Sequence, residues 1–174
     1  MKYKENFIQT PNFSTETENS VELIVLHHTG GTYESAVNWL TNPNANVSAH
    51  VVIAKDGERT VLASPRTRTW HAGRSSYKGR NNVNDFGVGV EFAGDTNKEP
   101  LTFKQIDSFI DYFYNHLKEF FPKPDSNIIT DHRTIAPERK VDIKESELAK
   151  VKTQFDEVII KEFINEYIQT KRWL

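Results

Sequence analysis

The stretch "VELIVLHHTG", Val21–Gly30, decides the fold. Five of its first six residues are aliphatic, several of them β-branched, which suits a buried strand. It ends on two adjacent histidines, His27 and His28. Successive side chains along a strand point to opposite faces, so only one of the pair can easily enter any given pocket. His27 shares a face with Val21, Leu23 and Val25; His28 shares one with Glu22, Ile24 and Leu26. Neither face is plainly polar, so periodicity leaves the choice between them open.

Working outward, "TYESAVNWLT" after Gly30-Gly31 reads as a short helix with Thr32 as its N-cap. In "AHVVIAKDGERTVLASP" two apolar runs flank Asp56-Gly57, a hairpin turn pair. Arg66 to Asp85 is rich in Arg, Gly, Ser and Asn, with Trp70 and Tyr77 among them. A loop of that length in a compact domain points to function. "FGVGVEFAG" (Phe86–Gly94) returns to strand character, with Gly89 and Glu91 on one face and Val88, Val90 and Phe92 on the other. From 103 to 121 the apolar residues recur at helical spacing. Thr102 with Gln105 forms a capping box at the start, and Pro122 stops the helix. "NIIT" (Asn127–Thr130) suggests one more strand, and a long helix is expected from about residue 146. Residues 1–20 are polar and read as an irregular arm. Strands alternating with helices predict an α/β (mixed α+β) fold, a central mixed β-sheet flanked by helices in one domain over 21–174.

The 174-residue chain has a net charge of −2. That offers no electrostatic case for nucleic acid or an anionic membrane surface. With no cysteine, disulfides and thiolate metal sites are excluded, so any metal must use His, Asp or Glu. No window approaches a membrane span or a leader's apolar core, which leads to the expectation of a soluble, cytoplasmic protein, or a secreted one if a leader was removed.

Polar residues collect at strand ends, where a scaffold holds them and loops leave them reachable. His27 and His28 end one strand, His132 follows "NIIT", and Lys140 and Asp142 come soon after, with Glu91 on the fourth strand. Two histidines and a carboxylate can hold a hydrolytic zinc with one position left for water. A second carboxylate can act as base and a lysine can steady an oxyanion. These residue types suffice for metal-assisted amide hydrolysis. His116, on the long helix, and His50, at the hairpin, read as scaffold residues.

Five motifs in order, "IVLHHTG", "SAHVVIAKDG", "WHAG", "NDFGVGVEF" and "DHRTIAPERKVD", resemble the zinc-dependent N-acetylmuramoyl-L-alanine amidases of the type 2 group, which also contains phage lysozyme-type amidases and peptidoglycan recognition proteins. "WHAGRSSYKGRNNVNDFGVGVEFAGD" looks most like the cytoplasmic branch that trims 1,6-anhydro-muropeptides in cell-wall recycling. The resemblance implies Zn2+ on His27, His132 and Asp142, Glu91 as general base and Lys140 as oxyanion stabiliser. It implies a muropeptide groove lined by Trp70, His71, Ala72, Gly73, Arg80 and Asn84, in a monomer or weak dimer. Two features depart from the pattern: Ile143-Lys144 stands where Pro-Gly usually follows the aspartate ligand, and 32 residues follow Asp142. The rival expectations are a non-catalytic peptidoglycan-binding domain, or the same chemistry in a secreted, phage or effector lysin. The doublet supplies a first test by metal analysis: His27→Ala is expected to lose zinc and His28→Ala to keep it, and the reverse outcome contradicts the choice of His27.

Overall fold

The computed structural model describes residues 2–171. Strand β1 (Glu5–Phe7) and β2 (Phe13–Glu18) precede β3 (Leu23–His28), and α1 (Tyr33–Leu40) follows it. The hairpin strands are β4 (Val51–Ile53) and β5 (Arg59–Val61). Three short strands come next: β6 (Thr67–Thr69), β7 (Ser76–Tyr77) and β8 (Arg80–Asn81). The remaining elements are β9 (Gly87–Phe92), α2 (Phe103–Tyr112), β10 (Ile129–Asp131), α3 (His132–Ile135) and α4 (Glu145–Lys171). Six strands form one mixed sheet in the order β1-β5-β4-β9-β3-β10. Strands β10, β3, β9 and β4 run parallel, while β5 pairs antiparallel with β4.

The alternation in "VELIVLHH" sorts two cores. Ile24 and Leu26 face the larger one, with Val88, Val90 and Phe92 of β9, and α2 and α4 seal it through Phe109, Phe113, Val151 and Phe155. Leu23 and Val25 face a smaller cluster with Ala72, Val83, Phe86 and Ile135. Beside it α1 packs Ala36, Val37 and Leu40 on Val52 and Leu62. The second face is therefore covered by short elements and loops, and His27 belongs to it.

Local chemistry places the caps where the sequence does. The Thr32 hydroxyl accepts from Ser35 N–H, and Thr102 and Gln105 close a reciprocal capping box on α2. Gly57 closes the β4–β5 hairpin at a φ of +90°, a conformation glycine adopts without a Cβ penalty.

Two expectations are corrected. The first twenty residues are not an irregular arm: β1 joins the edge of the main sheet and β2 pairs with β6. Buried Arg59 ties β1 down through Glu5 at 2.6 Å and reaches Asp111 on α2 at 2.8 Å. The helix from Phe103 does not run unbroken to 121: it widens into a π turn at Phe113–Leu117 and tightens to 3-10 over Lys118–Phe120. The long C-terminal helix expected from about residue 146 is present, beginning at Glu145, and leaves the core after Ile159, with Ile160, Phe163, Ile164 and Ile168 exposed. The last three residues of the 21–174 span lie outside the described residues. His116 is a scaffold residue, stacked on Tyr112 with its Nε2 3.0 Å from Glu5. No helix among the described residues is long and apolar enough to cross a membrane.

Candidate active site

Sheet register builds the site. Parallel pairing sets His27 beside Glu91, and Val52 flanks Glu91 on the other side. Asp131 pairs with Leu26, so His132, the next residue, comes level with His27 as β10 ends. Three adjacent strands thus deliver His132, His27 and Glu91 in one row at their carboxyl ends, where ligands of α/β sheets gather. Asp131 is fully buried and caps α3 by accepting from Thr134 N–H at 2.8 Å, which fixes the turn that presents His132. Asp142 arrives from the loop beyond α3, pinned because Arg133 N–H donates to its backbone carbonyl at 2.7 Å. The chain leaves it through a cis peptide bond to Ile143, which is buried in the main core.

One nitrogen each of His27 and His132 and a carboxylate oxygen of Asp142 lie within 4.8 Å of one another, and all three residues are buried. His27 Nδ1 stands 2.9 Å from His132 Nδ1; Asp142 Oδ2 is 3.5 Å from the first and 3.2 Å from the second. The opposite imidazole edges are engaged elsewhere: His132 Nε2 lies 3.3 Å from the Ala72 carbonyl and His27 Nε2 3.0 Å from His71 Nδ1. Two ring nitrogens and a carboxylate oxygen thus turn toward one point, and only protons or a cation between them relieve the repulsion of their lone pairs. Burial pushes the His27 imidazolium down to about 4, so at neutral pH the ring is uncharged, the form that ligates metals. Burial alone would raise Asp142; the imidazoles of His132 and His27 beside it outweigh that and hold the carboxylate well below the usual range. The donor set and its reach fit a divalent ion with N and O ligands.

Glu91 is the second carboxyl group. Its Oε2 is buried with no hydrogen-bond partner among the described residues. Burial, then repulsion from Asp142, pushes it up to about 8, while the Lys140 charge pulls the other way. Glu91, Lys140, His132, Asp142, Trp70 and His71 all line one pocket of about 280 Å³. A carboxyl group of raised pKa, a lysine and a cluster able to hold a metal ion in one small pocket make a candidate acid–base site.

The remaining expected residues divide. Trp70 and His71 line the pocket, but Ala72 is fully buried and Asn84 nearly so. The Asn84 side-chain oxygen accepts from the backbone N–H groups of His71 and Ala72, at 3.1 and 2.8 Å, so it shapes the turn from beneath rather than lining a groove. Gly73 lies under Arg139, which donates to the Ala72 and Arg74 carbonyls. Arg80 is paired with Glu22 and stacked on Phe86, along a different cleft. Loop composition could not show that these polar groups are spent on holding the loop. His28 reaches the pocket wall, but its Nδ1 is taken by Thr96 and its Nε2 faces Asp95. Thr96 also accepts from Lys144 N–H, so His28 braces the strand end against the segment after Asp142. Sequence reasoning missed another wall: Trp39 on α1, 55 % exposed, and Val47 in the segment after it line the pocket. An exposed tryptophan on the helix directly after the histidine doublet was the available signal.

Glu91 carries a stability signature. Its folded-state value near 8 lies above the ordinary 4.5. As pH rises from 4.5 to 8 the unfolded chain releases this proton and the folded one retains it, so the buried group costs stability increasingly across that window. In metal-free protein, Glu91→Gln is expected to raise Tm at pH 8 by roughly 3–10 °C, for a relief of about 1–3 kcal/mol, and to change little at pH 4. Thermal melts showing equal gains at both pH values would contradict this.

The N-acetylmuramoyl-L-alanine amidase family profile matches residues 17–145. The chain is 30% identical over 154 residues to the 1,6-anhydro-N-acetylmuramyl-L-alanine amidase AmpD of Haemophilus influenzae, covering 78% of this chain and 83% of that one. It is similar to the crystal structure of a selenomethionine AmpD derivative, with a TM-score of 0.69 and 29% identity over 85% of this chain and 94% of that one. AmpDh3 of Pseudomonas aeruginosa in complex with anhydromuramic pentapeptide superimposes with a TM-score of 0.62 at 25% identity, covering 79% of this chain and 62% of that one. With the His-His-Asp cluster at the end of the matched strands, the chain belongs to the N-acetylmuramoyl-L-alanine amidase family.

Proposed function

We propose that the protein hydrolyses the amide between the lactyl group of 1,6-anhydro-N-acetylmuramic acid and L-alanine of the stem peptide, using Zn2+, in cytoplasmic cell-wall recycling. The observation that carries this reading is the row of His132, His27 and Glu91 across β10, β3 and β9, closed by Asp142. Similarity to AmpD over most of both chains supports the substrate class, as does the anhydromuramic pentapeptide bound to AmpDh3. His27 and His132, through Nδ1, and Asp142, through Oδ2, would hold the ion. Zinc there would polarise the amide carbonyl and lower the pKa of water.

The chain's own groups do the rest. Glu91 sits unpaired and uncharged beside the triad, and a dication at that position favours its carboxylate. As carboxylate it takes a proton from the attacking water; as acid it delivers that proton to the leaving alanine nitrogen. Lys140, on the same pocket wall, opposes the negative charge that grows on the carbonyl oxygen. Trp70, Trp39 and Val47 give the pocket an apolar rim that limits water around the scissile amide.

Incubating zinc-loaded protein with soluble anhydro-muropeptides and following products by mass spectrometry tests the reading. Free stem peptide is expected, with the rate falling at least 100-fold in Glu91→Ala, within the ~10²–10⁴ range for a general base. No released peptide, or a Glu91→Ala variant as fast as the parent, contradicts it. Faster turnover of intact sacculi than of soluble fragments would contradict the recycling assignment and favour a lysin.

A further inference from the structure

His71 lies directly behind the metal-ligand cluster, 7 % exposed, at the centre of the Trp70–Gly73 turn. Its Nε2 is 3.0 Å from the carbonyl oxygen of Gly87, its Nδ1 is 3.0 Å from His27 Nε2, and the two rings meet edge to face with centroids 5.2 Å apart. A carbonyl oxygen can only accept, so the proton of a neutral His71 ring sits on Nε2. Nδ1 is then an acceptor, and the bond to His27 requires that His27 Nε2 donate. The His27 proton is thereby fixed on the edge away from the cluster, and the bare Nδ1 faces His132 Nδ1 and Asp142 Oδ2.

The fold makes room for this arrangement. A Cβ on Gly89 would stand 2.5 Å from His71 Cγ, so the ring lies flush against β9 at a place only glycine leaves open. His50, whose Nδ1 accepts from Gly89 N–H and whose Nε2 reaches the Thr67 carbonyl, packs on the other side of His71 with ring centroids 5.9 Å apart. Asn84 holds the His71 backbone from below. The Gly87 carbonyl that starts the chain also accepts from Asn19 Nδ2 at 2.8 Å, which anchors it.

We infer that His71 is a positioning residue: it relays a hydrogen-bond direction from the Gly87 carbonyl to His27 and so sets the tautomer in which His27 binds the metal. The inference rests on the metal-binding reading of His27. Partners of ligating histidines commonly are carboxylates, carbonyls or water. A neutral imidazole in that place orients the ligand without adding negative charge, leaving Asp142 as the single anionic ligand.

Two measurements test the inference. In metal-free parent protein, long-range 1H–15N correlation spectra are expected to show His27 protonated at Nε2 and His71 protonated at Nε2; His27 protonated at Nδ1 overturns it. Zinc affinity measured by chelator competition is expected to fall roughly 10–100-fold in His71→Phe, which keeps the ring and removes the acceptor. His71→Asn, whose side-chain oxygen can take the place of Nδ1, is expected to recover most of that affinity, with circular dichroism confirming folded protein in both. Parent-like affinity in His71→Phe, or equal losses in the two variants, overturns the inference. His27→Ala run in parallel separates the readings: retention of zinc there refutes His27 as a ligand, whereas loss there with no effect of His71→Phe refutes only the positioning role.

Discussion

Three electron-rich atoms facing one another in a buried corner are the constraint around which this structure is arranged. His27 Nδ1 and His132 Nδ1 stand 2.9 Å apart with Asp142 Oδ2 beside them, and the outward edges of both rings are occupied by the protein. Left alone, such a set is repulsive; filled by a divalent cation, it is satisfied. Glu91 feels the same economy from the other side, since its neutral state is favoured by burial and by Asp142, and a cation would favour its charged one. The cluster and the carboxyl group are thus electrostatically coupled, and a bound dication would favour the charged form of Glu91.

The scaffold meets this demand by asymmetry. One face of the sheet is sealed by α2 and α4 over a large aromatic core, which fixes the strands. The other is covered by α1, α3 and the loop from Arg66 to Asp85, whose backbone is held by Asn84 at the His71–Ala72 turn and by Arg139 at Ala72 and Arg74, while Arg68 pairs with Asp85. The turn so built presents His71 to His27 and the Ala72 carbonyl to His132. Rigidity on one side and a shaped loop on the other place the ligands without help from a disulfide.

Much of this was legible from residue patterns. The hairpin at Asp56-Gly57, the caps at Thr32 and Thr102 and the buried strand before the histidine doublet depend on near neighbours, and the structure has each of them. What escaped depends on distant partners. Strands β1 and β2 are polar because they lie at sheet edges, and β1, only three residues long, is held by Arg59 from a segment more than fifty residues away. The π turn at Phe113 is invisible because the apolar period continues through it. Arg80 and Asn84 look like ligand-binding residues by composition; whether a loop side chain faces a groove or its own backbone is settled only by the loop's path. The choice between His27 and His28 needed both the resemblance and the register, because the strand is apolar on both faces.

X-ray absorption at the zinc edge of the reconstituted protein tests the central claim most directly. Two imidazole nitrogens and two oxygens, from Asp142 and water, at about 2.0–2.2 Å in a four-coordinate shell are expected. Replacing Asp142 with alanine should remove an oxygen and leave both imidazoles. A shell with one imidazole or none, or a six-coordinate oxygen environment, would contradict the assignment of His27, His132 and Asp142 as the metal-holding centre.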